Sequence, residues 1–353
     1  MNGNGEHQLR PALDPRLVWR PAERRDLDAW AGLIARTAAI EQPVWFERRE
    51  DLEQILESKN NPALANTILG FDPEGVARAY ARIMKNRDGD KANGFCCVDP
   101  EWQGSGIGTG LLGWLEQRTT ERFAEDLAVT SGAGVAGPTA PVGVATPRPR
   151  LRLHMEQQQR HQAALFAAAG YGIVRYYNEM HRPLNQELPN AILDPGLELV
   201  TFGPALHEPV RLAHNAAFRD HWGSEPRDEE AWGFVINDPQ ARPDLSAVVL
   251  ERSTGTVAGY QLATHDAEAA VTRGFSEGYT ELLGVRREFR GRGIAQALLA
   301  DAMRRFATAG MEVASLDVDS ENPTGALALY VKMGYAAVNR SMAWDKELQP
   351  VAG

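Results

Sequence analysis

Two short stretches carry the residue types best suited to chemistry: Gln103-Gly104-Ser105-Gly106-Ile107-Gly108 and Arg290-Gly291-Arg292-Gly293-Ile294-Ala295. Each follows a short apolar run, Gly94-Phe-Cys-Cys97-Val98 and Glu281-Leu-Leu283-Gly284-Val285, and each opens an amphipathic segment. Glycines at such a point leave backbone N–H groups free to face an anion at a helix N-terminus. The spacing of Ile294, Ala297, Leu298, Met303 and Phe306 predicts that helix in the second copy. Strand, glycine turn and helix together read as a cradle for a phosphate group. A dinucleotide fold would show G-x-G-x-x-G near a domain's first strand, and neither copy has that spacing or that position. A P-loop ends on Gly-Lys-Ser/Thr, which both copies lack. A purely structural turn explains one copy more easily than two in the same place.

Both copies match Gln/Arg-x-x-Gly-x-Gly/Ala, and in this the chain resembles the GNAT superfamily of acetyl-CoA-dependent N-acetyltransferases. The second half adds Leu283-Gly-Val285 before the turn. After it come Asn322-Pro-Thr-Gly-Ala-Leu-Ala-Leu-Tyr330-Val-Lys-Met-Gly334-Tyr335, similar to the family's Asn…Leu-Tyr-x-x-x-Gly-Phe/Tyr signature. Together these cover most of residues 246 to 345; the first half is a weaker match. Two fused copies resemble the tandem-GNAT architecture, of which mycothiol synthase is one member. The resemblance implies an α/β (α+β) fold with two tandem GNAT domains. Each is a mixed, mostly antiparallel sheet with a splayed central strand pair, flanked by helices. It also implies that the N–H groups of Arg290 to Ala295 hold the pyrophosphate of CoA. The strand ending at Val285 then splays from residues 313–318, so that Leu283, Gly284 and Val285 pair with pantetheine. Cys97, Val98 and the turn Gln103 to Gly108 are the matching positions in the first half. An ordinary buried strand needs the same apolar side chains, so the residues alone leave both uses open.

Acetyl transfer to an amine needs a neutral nucleophile, an oxyanion site and a proton for the departing thiolate. Tyr330 stands at the family's tyrosine position and is the expected general acid; a packed helix tyrosine is the alternative. Glu281, four residues before Val285 and so on the same strand face, is the expected general base, directly or through water. A hydrogen-bonded strand glutamate is the alternative there. Asn322 bonds the cofactor or caps the following helix. Asp220, His221 and Trp222 lie where this fold has substrate-facing loops, and with Tyr279 they are the candidate acceptor contacts; capping and packing are their bland roles. The first half departs from the pattern, with Phe166 at Tyr330's place, Gln158 at Asn322's and Gly94 at Glu281's. It is expected to hold acetyl-CoA or nothing, and not to catalyse. The expected function is acetyl transfer from acetyl-CoA to a primary amine of a small molecule by direct attack in a ternary complex, with no metal. One rival is mycothiol-synthase-like acetylation of a cysteinyl amine; another is a noncatalytic acyl-CoA sensor.

The elements that must position these residues run in the same order twice. Gln103 matches Arg290, 187 positions on, while Gly170-Tyr171 matches Gly334-Tyr335, 164 positions on. The difference, about 23 residues, is close to the length of the Gly/Pro/Ala-rich stretch 130–150, which reads as a flexible insertion in the first copy. The expected organisation is a disordered leader 1–16, a GNAT-like domain 17–182, a linker 183–196 and a catalytic domain 197–350. Asp26 is expected to cap a helix over 27–39, and residues 268–277 form a long connection that could line the acceptor pocket. A chain of 353 residues suits two domains, and 43% apolar content lets each bury a core. The net charge of −10 argues against a general nucleic-acid binder and is compatible with a cationic amine. Two adjacent cysteines form no disulfide framework and no metal set, which points to a reducing cytoplasm. The first ten residues have no apolar targeting core, and no run approaches the ~18 apolar residues of a membrane span. Two halves packed like a family dimer would make a monomer sufficient; a homodimer is the alternative.

Overall fold

The apolar patterns resolve into strands and helices in the computed structural model, which describes residues 12–350 except 42, 44–45, 88, 131–147, 220 and 322–324. In chain order the strands are β1 (Val18–Arg20), β2 (Thr67–Phe71), β3 (Ala77–Met84), β4 (Ala92–Val98), β5 (Arg150–Glu156), β6 (Gly172–Pro183), β7 (Leu197–Thr201), β8 (Ala247–Glu251), β9 (Val257–Thr264), β10 (Glu277–Val285), β11 (Val313–Asp319) and β12 (Ala336–Glu347). The helices are α1 (Leu27–Glu41), α2 (Arg49–Glu57), α3 (Ala63–Asn66), α4 (Ile107–Thr130), α5 (Arg160–Ala168), α6 (His207–Ala217), α7 (Glu229–Ile236), α8 (Ala267–Arg273), α9 (Ile294–Thr308) and α10 (Ala326–Lys332). They fall into two compact units, Met1–Val174 with Met342–Gly353, and Arg175–Ser341.

In the first unit, β1 to β5 pair in sequence order, antiparallel except for β4 with β5. Helix α1 buries Trp30, Leu33 and Ile34 with Leu69, Phe71 and Tyr80 of the sheet, and the Trp30 and Tyr80 rings meet edge-on at 4.8 Å. Helix α4 buries Leu111 and Leu115, and Leu115 lies over Gly94 of β4. The end of the chain completes this unit: Arg152 of β5 makes paired bonds of 2.6 and 2.7 Å to Asp345. Of the expected leader only residues 12–16 are described, and there the Asp14 carbonyl accepts from the backbone of Leu17 and from the Trp19 indole. Residues 1–11 and most of the expected insertion lie outside the described residues. Asp26 does not cap α1; it accepts from the Glu23 backbone and from Arg20, because a single 3₁₀ turn precedes the helix.

The second unit has the order β6-β11-β10-β9-β8-β7, antiparallel except for β10 with β11. Residues 177–183 of β6, which sequence order assigns mostly to the first half, pair with Val313–Asp319 in this unit. Helix α9 lies on one face, with Leu298, Met303 and Phe306 fully buried. It approaches closely because β10 has glycine at 278, where a Cβ would stand 2.4 Å from the Phe306 ring. Helices α6 and α7 cover the other face, where Val210, Ala213 and Trp232 pack on Tyr260, Leu262 and Leu282. Both units are therefore mixed, mostly antiparallel sheets flanked by helices.

Candidate active site

Gly291 and Gly293 both adopt the left-handed conformation, with φ of 79° and 74°. They turn the chain from β10 into α9, whose first residue is Ile294. No atom lies within 4 Å of where a Cβ would project from either glycine, so the space beside the turn is open. The first helical bond inside it is Ala297 N–H to Gly293 O. Among the described residues the N–H groups of Gly291 to Gln296 donate to no protein acceptor. Free donors, an open floor and a helix N-terminus are what a phosphate group requires. The guanidinium of Arg290 is held by Val285 O at 3.2 Å and Ala217 O at 2.9 Å. Arg292 is exposed and bonds Asp194 at 3.1 Å. Ile294 is buried against β9 and β10, and Ala295 is half-buried.

The strand leading into this turn separates from its neighbour. β10 and β11 pair only at Glu277–Val313, Gly278–Ala314 and Tyr279–Ser315. Beyond Tyr279, β10 keeps its bonds to β9 while β11 keeps its bonds to β6, so among the described residues the edge of β10 facing β11 has no strand partner. The pairing with β9 shifts register between Thr280 and Leu282, which makes Glu281 the extra residue of a β-bulge. A bulge breaks the two-residue alternation. Leu282 faces α6 and α7, whereas Leu283 and Val285 pack toward α9. The simple alternation that puts Glu281 and Val285 on one face therefore does not carry through. Gly284 allows the Tyr260 ring to lie directly on β10, its hydroxyl 2.6 Å from where a Cβ would stand. That hydroxyl bonds His214 Nδ1 at 2.6 Å, and burial drives the histidine pKa down to about 3, so His214 stays neutral.

Glu281 is exposed to solvent, yet enough protein surrounds its carboxyl for desolvation to raise its pKa above the ordinary value. Arg227, from the loop between α6 and α7, opposes that rise with its charge. Neither side chain has a hydrogen bond or ion pair among the described residues. Tyr330, on α10, buries its ring edge-on to Tyr335 at 6.0 Å, and burial pushes its phenol up to about 12. Its hydroxyl bonds no described group. The helix carrying it is anchored at its C-terminal end by buried Arg182, which donates to Met333 O and fills the space beside Gly334, where φ is +89°.

Of the expected acceptor contacts, Tyr279 marks the last pair before the strands part, its hydroxyl bonded to Asp317. His221 packs on Phe218 with ring centroids 4.5 Å apart. Trp222 lies under the guanidinium of Arg175, 4.5 Å from its ring centre. Asp220 and Asn322 lie outside the described residues. The 268–277 connection contains helix α8, capped by Asp266. Its last residue, Arg273, meets Glu277 at 2.6 Å and Glu179 at 3.4 Å. Those two carboxylates and His181 could cluster around a cation, but the guanidinium already takes that role.

In the first unit Gly104 and Gly106 repeat the left-handed turn, with φ of 72° and 90° and open space at both Cβ positions. Gln103 donates to Val98 O at 3.3 Å, as Arg290 does to Val285 O. Ser105 bonds Trp102 O, Ile107 is buried, and Gly108 is half-buried. β4 pairs with β3 without a register shift. Gly94 therefore corresponds to Thr280, and Glu281 has no counterpart; the equal-offset alignment of Gly94 with Glu281 is corrected by the bulge. A Cβ at Gly94 would stand 2.7 Å from the end of the Leu153 side chain, which would have to move aside. Phe166 fills Tyr330's position and packs on Tyr171 and Trp344. Burial raises the Cys96 thiol to about 12 and the Cys97 thiol well above its ordinary value, so neither is a ready thiolate.

A glycine turn on a splayed strand, present twice, defines a class of protein, and comparison with known proteins agrees. The acetyltransferase (GNAT) family pattern matches residues 208–335. A mycothiol acetyltransferase from Thermobispora bispora is 30% identical over 263 residues, 72% of this chain and 80% of that protein. A GCN5-related N-acetyltransferase from Sphaerobacter thermophilus superposes with a TM-score of 0.67 at 25% identity, over 96% of this chain and 98% of that one. A tandem GNAT protein from the clavulanic acid biosynthesis pathway superposes at 0.65 and 15% identity, over 95% and 100%, and shares the fold. The chain belongs to the GNAT family of acetyltransferases and is a transferase.

Proposed function

We propose that the second unit is the catalytic half and transfers an acetyl group from acetyl-CoA to a primary amine of a small molecule. The residues present fit the donor: the 291–296 amides and the α9 N-terminus suit its phosphates, and the unpaired edge of β10 suits its amide-bearing arm. Acetyl-CoA supplies the acetyl group as a thioester. Glu281, held in the bulge, takes the proton from the acceptor amine so that the nitrogen presents a lone pair. Tyr330 keeps its phenolic proton at any working pH and gives it to the departing sulfur. Tyr279, His221 and Trp222 line the acceptor side. The observation that carries this reading is the desolvated, unpaired carboxylate of Glu281 at the level where β10 and β11 part.

A cysteinyl amine is the second reading for the acceptor, favoured by the Thermobispora relative and its name. The site of action is the cytoplasm, in keeping with two free cysteines. Among the described residues no helix is long and apolar enough to cross a membrane. Thiol release from acetyl-CoA, followed with alkyl amines, amino sugars and cysteinyl amides of amino sugars, tests the assignment. Acetylation of one of these classes is expected. Binding of acetyl-CoA with no thiol release for any amine would sink it.

A further inference from the structure

In the first unit the glycine turn is intact, yet the cleft beside it is crossed by side chains. β4 and β5 pair from Ala92 to Gly94 and then part, as β10 and β11 do. Glu41, the last residue of α1, places its carboxylate across the opening. One oxygen accepts from Gln103 Nε2 at 3.0 Å, and that same amide donates to Val98 O at the end of β4. The other oxygen accepts from Gln159 Nε2 at 3.1 Å and Gln162 Nε2 at 3.1 Å. Gln159 in turn accepts, through Oε1, the N–H of Glu156 at the end of β5. A continuous strap of hydrogen bonds thus joins the ends of the two diverging strands. The carboxylate can only accept, so each of the three amides presents its NH₂ group.

No cation pairs with Glu41 among the described residues, and desolvation raises its pKa against the three amide bonds that oppose the rise. The Glu41 carboxyl thus sits beside the first residue of a turn suited to phosphate. In the second unit, Arg290 stands where Gln103 stands and, among the described residues, bonds only backbone carbonyls. Among the described residues no side chain ties it to the end of β11.

We infer that the first unit is a latent acyl-CoA site, held shut by the Gln103–Glu41–Gln159/Gln162 strap. The strap crosses the gap that the arm of the ligand must enter, and the carboxylate repels its phosphates. The inference rests on the reading that a glycine turn beside a strand splay binds acetyl-CoA in this chain.

Equilibrium dialysis or titration calorimetry of the full chain with CoA counts the sites. One equivalent is expected for the wild type and two for Glu41→Ala. The added equivalent should disappear when Gly106→Val is combined with Glu41→Ala. The double variant Gln159→Ala/Gln162→Ala cuts the strap on the β5 side only. It should also gain a site, which covers the case in which Glu41→Ala does not fold. Two equivalents in the wild type, or no gain in either strap variant, would overturn the inference. No binding by the wild type together with one equivalent in the strap variants would sustain the latch and refute the proposed donor site in the second unit.

Discussion

At the scale of single residues the account turns on two protons. Glu281 has its pKa raised by desolvation, so as a base it is active only above that raised value. The acid limb of kcat/KM should lie above the ordinary carboxylate value and vanish in Glu281→Gln. The same shift has a consequence for stability. A carboxyl that holds its proton more tightly folded than unfolded stabilises the fold at low pH, and that contribution is lost as pH rises through the folded pKa. Glu281→Gln should therefore melt at a higher temperature than the wild type at neutral pH, with the difference closing below about pH 4; an unchanged melting curve at both pH values would contradict the shift. Tyr330, raised to about 12, should contribute no basic limb below pH 10. Tyr330→Phe should lower kcat by roughly 10²-fold or more and change stability by less than about 1 kcal/mol, because its hydroxyl bonds nothing described. Rates and denaturant midpoints check both. Tyr330 and the glycines were legible because a motif is local. Arg227 was not, since a single loop arginine carries no spacing signal, and its relation to Glu281 exists only in three dimensions.

At the scale of elements, the turn and the bulge do different work. The turn needs glycine for its backbone. Gly293→Ala should cost about 1–2 kcal/mol from its left-handed conformation and raise KM for acetyl-CoA more than it lowers kcat. Gly334→Ala would meet Arg182 Nε at 2.6 Å as well as a φ of +89°, so it should loosen α10 and lower both melting temperature and kcat. The strand–turn–helix order was readable because apolar periodicity and glycine placement are local properties. The bulge was not, because nothing in Thr280-Glu281-Leu282 distinguishes an extra residue from a regular one. Only the pairing of β9 with both sides of it does. That one residue is why an equal-offset alignment set Gly94 against Glu281. The Glu41 strap was hidden for a related reason, since its partners are 62, 118 and 121 residues away.

At the scale of the whole molecule, two units share one kind of fold, and the proposed chemistry is assigned to the second. The duplication was visible in sequence, but the limits of the compact units were not. The segments 175–183 and 342–350 take their places through strand pairing and through the Arg152–Asp345 contact, which composition does not encode. The glycine turn is common to both units, so it explains donor binding and not transfer. What separates the units is the bulged strand with Glu281, and the phenol of Tyr330 where the other has Phe166. The most direct test is the turnover number of Glu281→Gln measured beside its dissociation constant for acetyl-CoA. The account predicts a fall in kcat of about 10²-fold or more with the dissociation constant unchanged. Turnover within twofold of the wild type at saturating acetyl-CoA would contradict it.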